Sequence, residues 1–109
     1  MNESNFSSLD EIRTNIDKID KEIVTLLSKR GDCVKQAARF KESVANVKDS
    51  QRLEQIIQKV TSYAKDIGFD PLTIEIIYRN MVDAFIQLEM KTYTNLRESA
   101  ESHTDMKYE

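Results

Sequence analysis

The sequence predicts an all-α protein with three helices, of which the first is very long. Along most of the chain apolar residues recur at steps of three and four, the period of amphipathic helices. No segment alternates apolar and polar residues between turn signals, as a half-buried strand would. The single proline, Pro71, follows Asp70, and this pair is typical of a helix start. These observations favour helices over most of the chain and no sheet.

The first helix is expected to begin near Ser8 and to end near Ser43, a stretch without proline. Ser8 and Glu11 match a capping box at its start. Isoleucines at helical spacing form its apolar stripe: Ile12, Ile16, Ile19 and Ile23. A helix of about 35 residues is roughly 50 Å long, whereas a compact domain of this size has a radius of gyration of about 13 Å. Because the chain is too short to cover such a helix, we expect a second copy to bury the stripe in a homodimer.

Two further helices follow a short connection. The second is expected to begin at a cap formed by Asp49 or Ser50 and to end before Gly68, since glycine commonly stands just past a helix C-terminus. The third is expected to begin at Pro71 and to run towards Tyr93. Together with the first helix they complete the predicted three-helix protomer.

The length of 109 residues indicates a single domain. We assign the helical domain to residues 1–93, with a loose leader over residues 1–7, and predict a frayed or disordered polar tail over residues 94–109. A net charge of −3 and a pI of about 5.2 give no attraction to nucleic acid or to anionic membranes. No apolar run approaches the roughly 20 residues of a membrane span, and the polar start is unlike a signal peptide. We therefore expect a cytoplasmic protein with no nucleic-acid or membrane partner.

Residues that bind metals or attack substrates are scarce. Cys33 is the only cysteine, so an intrachain disulfide is impossible and a reducing compartment is expected. His103 is the only histidine and lies in the polar tail, so Cys33 has no base to activate it. No cysteine pair, histidine pair or glycine-rich phosphate loop occurs. The sequence therefore predicts no metal site, and any chemistry has to rest on shape and fixed charge.

Several charged residues stand where the helical pattern calls for apolar ones. On the first helix, the row of positions that carries the isoleucine stripe continues through Arg30 and Val34 to Lys41. A row of the third helix passes Phe85 and ends at Glu89. If Arg30 and Lys41 lie on one helix, their Cα atoms are about 16 Å apart. Because an isolated buried charge is very costly, such residues normally have a partner or face a polar cavity. The set therefore indicates a site for a small ligand with two negative charges.

Two more arginines extend this set. Arg52 lies in the first turn of the second helix, and Arg13 lies beside the isoleucine stripe. Arg13 and Arg30 are 17 residues apart, which is about 25 Å along one helix and roughly 100° around it. They cannot touch one small ligand from the same helix, so Arg13 has to reach a pocket of the partner chain if both belong to a site. Two-fold symmetry then gives two identical sites.

Each of these charges also has a simpler interpretation when it is taken singly. Arg30 and Lys41 can extend from the edge of the stripe into water. Glu89 can pair with Lys41 or Lys91, and the remaining arginines can be solvated or pair along their own helix. The functional interpretation depends on the charges acting together.

Four segments of the sequence resemble the all-helical chorismate mutase family: LDEIRTNIDKIDKEIVTLLSKR, VKQAARFKES, the arginine of DSQRLEQ, and FIQLEMKTY. Within that family the chain looks most like the isochorismate pyruvate lyases of salicylate biosynthesis, and the resemblance covers about residues 9–93. It implies the chorismate mutase type II fold, in which three-helix protomers form an intertwined homodimer. Because the reactions of the family are pericyclic, the resemblance also implies that no cofactor is needed.

The resemblance implies a role for each unusual charge. Arg30 and Arg13 of the partner subunit would hold the two carboxylates of the substrate. Lys41 would donate a hydrogen bond to the ether oxygen of the enolpyruvyl group, and Glu89 takes the place of a glutamine or glutamate that donates to the same oxygen. Arg52 matches a cationic position near the ring carboxylate. The other residues expected to contact substrate are Val34, Asp49 and Phe85.

Differences from the family pattern bear on which reaction is catalysed. Leu53 stands where small bacterial mutases carry a glutamate, and Phe85 replaces a serine, so the mutase interpretation is weakened. The lyase-like segment 39–41 favours conversion of isochorismate into salicylate and pyruvate. Asp49 matches a mutase position, so conversion of chorismate into prephenate is the alternative. A non-catalytic helical dimer of the same fold is a third interpretation, of a different class.

Overall fold

A computed structural model describes the backbone of residues 5–107 and the side chains of residues 5–99. Its helices, in chain order, are α1 (Leu9–Ala38), α2 (Val44–Val47), α3 (Ser50–Asp66) and α4 (Pro71–Lys107). No strand occurs among these residues. The predicted all-α class with three main helices is therefore confirmed, although α4 with 37 residues is longer than α1 with 30. The short helix α2 is an element that the sequence analysis did not predict.

Helix α1 ends earlier than the sequence predicted. After Ala38 a tighter turn replaces the α-helix. The Lys41 N–H donates to the Ala38 carbonyl at 3.3 Å, which is an i→i−3 hydrogen bond. Ser43 then caps the start of α2. Lys41 consequently lies in the connection between two helices and not on the helix that carries Arg30. The predicted continuous helical row from Arg30 to Lys41 is therefore wrong, and helix geometry no longer supports the spacing derived from it.

Helix α4 continues to Lys107, past Tyr93, where we expected the last helix to end. Residues 94–107 contain neither proline nor glycine, so nothing in their backbone chemistry stops a helix. Of the predicted tail and leader, residues 108–109 and residues 1–4 lie outside the described part of the chain.

The chain divides into two compact units, Met1–Asp32 and Cys33–Glu109. In the first unit the Glu11 N–H donates to the Ser8 hydroxyl at 3.1 Å, as expected for the predicted helix start. Its isoleucine stripe is largely exposed: Ile12 37%, Ile16 48%, Ile19 45% and Ile23 46%. The burial of this stripe by a second copy of the chain stays a prediction.

The second unit is built around α3 and α4, which pack against each other, while α2 packs against α4. Its buried apolar residues are Ala38, Val47, Ile57, Ala64 and Val82. Val47, the last residue of α2, is only 4% exposed. This burial anchors the connection between α1 and α3 in the core of the unit.

The turn between α3 and α4 depends on Gly68. Its φ of 80° lies in the left-handed region, which glycine adopts without steric cost. The Gly68 N–H donates to the Lys65 carbonyl at 3.1 Å, and the Phe69 N–H donates to the Ala64 carbonyl at 2.8 Å. These two bonds form a Schellman motif, which satisfies the last carbonyls of α3. The predicted role of Gly68 as a helix terminator is therefore confirmed.

An ion-pair network links α3 and α4 at the surface of the second unit. The Arg79 guanidinium donates two hydrogen bonds to the Glu54 carboxylate, at 3.0 and 3.1 Å, and one to Glu75 at 2.9 Å. The hydrogen bonds from Arg79 hold the pKa of Glu54 below its usual value. Ionised Glu54 therefore stabilises the fold above the pKa that it has in the unfolded chain. This contribution is lost as the pH falls through the lower pKa of the folded state.

We expect Glu54→Gln to lower the melting temperature slightly at neutral pH, because a mostly exposed ion pair contributes little. The difference from the wild type should shrink as the pH falls below the ordinary glutamate pKa of about 4.3 and vanish below the lower pKa of the folded state. Thermal unfolding followed by circular dichroism across the acid range measures this. Glu98→Gln, which removes a carboxylate from α4 outside the network, is the control. Equal effects of the two substitutions at every pH would contradict the proposed linkage.

Candidate functional site

The site is centred on Lys41, which the connection between α1 and α2 carries towards α4. The Lys41 ammonium donates to the Asn46 carbonyl at 3.1 Å and lies 3.2 Å from Glu89 Oε2. Its side chain is 26% exposed. The cation is therefore held between a backbone carbonyl and a carboxylate, with one face open to solvent.

Glu89 lies on α4, at the end of the row of helix positions that the sequence analysis traced through Phe85. Along that row Tyr78 and Phe85 are half-buried, Val82 is buried, and Glu89 is 7% exposed. Among the side chains that the structure describes, Glu89 is the one buried charged residue. The prediction that Glu89 ends an inward-facing apolar row is confirmed.

The contact between Lys41 and Glu89 is close but not aligned as a hydrogen bond. Glu89 Oε2 is fully shielded from solvent and accepts no hydrogen bond within the described part of the chain, although Lys41 Nζ is 3.2 Å away. The attraction is therefore mainly between the two charges. A buried oxygen without a donor is costly, and such a group marks a place where a further donor can bind.

This geometry bears on both the simpler and the functional interpretation of Glu89. Glu89 does pair with Lys41, as the simpler interpretation required. The pair lies in the partly buried interior of the second unit, however, and not on its open surface. An anionic ligand that contacts Lys41 has to compete with, or add to, the interaction with Glu89.

Two of the other predicted site residues lie at the start of α3. Asp49 is its N-cap, and its carboxylate accepts from the Arg52 N–H at 3.0 Å. Both side chains are exposed. The cap predicted for Asp49 is confirmed, and one of its carboxylate oxygens is therefore already engaged by the backbone.

The remaining predicted residues are spread along α1 and α4. Phe85 lies one helical turn before Glu89 and is half-buried, and Val34 is half-buried near the end of α1. Arg13 and Arg30 belong to the first unit, where Arg13 is exposed and Arg30 half-buried. Both lie on the helix α1, about 25 Å apart along its axis. The structure thus brings Lys41 together with Glu89 and keeps Arg13 away from Arg30.

Asn46 is a residue of this region that the sequence analysis missed. It contacts Lys41 through its main-chain carbonyl and the start of α2 through its side chain. The Ser43–Asn46 spacing, a serine three residues before an amide side chain, is a signal for a capped turn that was available in the sequence.

Within the described residues, no group of three or more histidine, cysteine, aspartate or glutamate side chains is arranged to hold a metal ion. None of the helices described in residues 5–107 has the length and apolar content of a membrane span. What the site offers is fixed charge in a partly apolar setting: one ammonium, one buried carboxylate and the aromatic ring of Phe85 on the same helix as that carboxylate.

The described residues thus form an all-α fold with a partly buried cation–carboxylate pair. Residues 12–90 match the chorismate mutase type II family, and the chain belongs to that family. The chain is also similar to the isochorismate pyruvate lyase of Pseudomonas aeruginosa, with 31% identity over 94 residues, which cover 86% of this chain and 93% of that protein. The family resemblance and the fold predicted from the sequence are therefore confirmed. The protein is an enzyme of the chorismate mutase and isochorismate pyruvate lyase type.

Proposed function

We propose that this enzyme is an isochorismate pyruvate lyase, which converts isochorismate into salicylate and pyruvate without a cofactor. The observation that carries the proposal is the placement of the Lys41 ammonium 3.2 Å from the buried carboxylate of Glu89. The similarity to a lyase over most of both chains supports it. On this proposal the enzyme acts in salicylate biosynthesis in the cytoplasm.

The reaction needs charge stabilisation at one oxygen. The bond between the ring and the enolpyruvyl oxygen breaks, and one ring hydrogen moves to the enolpyruvyl methylene, which becomes the methyl group of pyruvate. Negative charge grows on the departing oxygen. A lysine ammonium has three N–H donors, of which one is used by the Asn46 carbonyl. A donor of Lys41 directed at the departing oxygen lowers the barrier without any proton transfer to a base.

Glu89 has a different role in this scheme in each of its two protonation states. As a carboxylate it only accepts hydrogen bonds, so it balances the charge of Lys41 and limits the directions in which the ammonium can point. As a carboxylic acid it can itself donate to the ether oxygen. The orphaned oxygen Oε2 is available for either role, since no described group donates to it.

The substrate carboxylates require further cations. We assign one carboxylate to Arg30 and the other to Arg13 of the partner subunit, with Arg52 near the ring carboxylate. Val34 and Phe85 are half-buried and supply apolar contacts to the ring. The separation of Arg13 from Arg30 along α1 supports a site shared between two chains.

A homodimer with two such sites is part of the proposal. The exposed isoleucine stripe supports it, because burying apolar surface contributes about 25 cal/mol per Å². A second copy of the same helix presents a matching apolar stripe, as two-fold symmetry requires.

Chorismate mutase is the second candidate activity. Membership of the chorismate mutase type II family favours it, and so does the resemblance of Asp49 to a mutase position. Against it, Leu53 and Phe85 are half-buried apolar residues where the mutase pattern has polar ones. The engagement of Asp49 as the cap of α3 leaves it only partly available for a substrate hydroxyl.

The test is incubation of the purified protein with isochorismate and, separately, with chorismate. We expect isochorismate to give salicylate and pyruvate in equal amounts, measured by salicylate fluorescence and by an NADH-coupled pyruvate assay. Prephenate from chorismate, with no salicylate from isochorismate, would identify the enzyme as a mutase. No product from either substrate, with a folded dimer in solution, would leave the non-catalytic interpretation.

A further inference from the structure

We propose that Asn46 is a positioning residue for Lys41: it fixes the connection between α1 and α3 in the shape that directs the Lys41 ammonium at the departing oxygen. This inference rests on the proposed function, because it assigns a catalytic task to Lys41. It adds a residue that acts through Lys41 and does not itself touch the substrate.

The side chain of Asn46 closes the turn that follows Lys41. Asn46 Oδ1 accepts from the Glu42 N–H at 3.2 Å and from the Ser43 hydroxyl at 3.2 Å. In the other direction, the Asn46 N–H donates to the Ser43 carbonyl at 3.1 Å and to its hydroxyl oxygen at 3.4 Å. The two residues directly after Lys41 are therefore both tied to Asn46.

The main chain of Asn46 contacts the catalytic cation itself. Its carbonyl accepts from Lys41 Nζ at 3.1 Å. The next residue, Val47, is 4% exposed, and its helix packs against α4, which carries Glu89. The carbonyl is thus fixed relative to Glu89, and Lys41 is bound at one end by that carbonyl and attracted at the other by the carboxylate.

Asparagine suits this position because its side-chain oxygen accepts the hydrogen bonds from both Glu42 and Ser43. Alanine removes the acceptor for the Glu42 N–H and the Ser43 hydroxyl, whereas aspartate keeps it. The residue is exposed, so its replacement leaves the core of the unit intact. An error of about 1 Å in the placement of a catalytic group can cost about 10²-fold in rate. A partial loosening of the turn should therefore cost less than that.

We expect Asn46→Ala to lower kcat about tenfold while KM changes less than about twofold, because Lys41 acts on charge that grows only in the transition state. Asn46→Asp should recover most of this loss. In the Lys41→Ala background, Asn46→Ala should have no further effect on kcat, since a positioning residue has nothing left to position. Amide hydrogen exchange at Glu42 should be faster in Asn46→Ala than in the wild type.

Asn80→Ala is the matched control, because Asn80 also bonds to the backbone, through the Ile76 carbonyl at 2.9 Å, but lies within α4 away from the connection. Asn80→Ala should leave kcat unchanged, both in the otherwise wild-type protein and in the Lys41→Ala variant. If the Asn46 and Lys41 effects multiply, or if Asn46→Ala raises only KM, Asn46 does not act through Lys41. A wild-type protein that is inactive on both substrates overturns the proposed function and this role with it. An active wild type with an unaffected Asn46→Ala variant overturns only the role of Asn46.

Discussion

Lys41→Ala is expected to lower kcat by about 10²–10³-fold, which is the usual cost of losing one preorganised donor to a developing negative charge. KM should rise much less, because the substrate carboxylates are assigned to arginines. The physical reason lies in the position of the ammonium, 3.2 Å from a buried carboxylate and 26% exposed. In such a setting water screens the charge poorly, so its effect on a nearby oxygen is large. Steady-state kinetics with isochorismate measures the change.

The substitution has a second effect that has to be separated from the first. Without Lys41, the buried Glu89 carboxylate loses the ammonium that lies 3.2 Å away, and a buried charge that loses its partner destabilises a fold. We therefore expect Lys41→Ala to lower the melting temperature and the double variant Lys41→Ala/Glu89→Gln to recover much of it, while kcat stays low in both. Lys91→Ala, an exposed lysine of α4, is the control and should keep wild-type kcat. A Lys41→Ala protein that is well folded and as active as the wild type would exclude Lys41 from the reaction.

Mixing Arg13→Ala chains with Arg30→Ala chains is expected to restore activity that neither variant has alone. In each homodimer both sites lack one arginine. In a heterodimer one site draws Arg30 from one chain and Arg13 from the other, and both of these are intact. With random exchange of chains about half of the dimers are heterodimers, so about a quarter of all sites are complete. For two sites that act independently, activity should return to about that fraction of the wild-type value.

The experiment needs proof that chains exchange. Light scattering should give about twice the chain mass of 12.7 kDa for each variant and for the mixture. Differently tagged chains, purified in sequence over two affinity resins, isolate the heterodimer itself. An isolated heterodimer with no activity would contradict the shared site, and a monomeric active wild type would contradict the dimer as well.

Most of the fold was predictable because it depends on local rules. The isoleucine stripe, the Ser8 cap, the Gly68 terminator and the start at Pro71 are each encoded within a few residues of where they act. The end of α1 was not predictable in this way. Apolar periodicity continues beyond Ala38, but i→i−3 hydrogen bonds and the capped turn at Ser43 end the helix there. Periodicity does not distinguish a helix that continues from one that ends and restarts.

The sequence was enough to single out Lys41 and Glu89 as candidate site residues, but not to place both of them correctly in the fold. The apolar row on α4 was enough to single out Glu89, and a charge at its end implied a partner. The position of Lys41 was assigned to the wrong element, because the pattern placed it on α1 and the structure places it in the connection. Asn46 was missed because its signal is the short capped turn that begins at Ser43, and the sequence analysis followed periodic patterns. The roles of Arg13, Arg30 and Arg52 depend on a second chain or on a ligand and stay predictions.

The place of Lys41 in a connection also bears on how enzymes of this kind diversify. A residue in the middle of a packed helix changes direction only if the helix rotates, and its neighbours in the core then have to change with it. The connection between α1 and α3 touches the core chiefly through Val47. Substitutions, insertions or deletions on either side of Val47 can change the direction in which the Lys41 ammonium points, while the helices keep their packing. On the proposed function, changes in this short segment can therefore alter which bond of a bound substrate lies next to Lys41, without a change of scaffold.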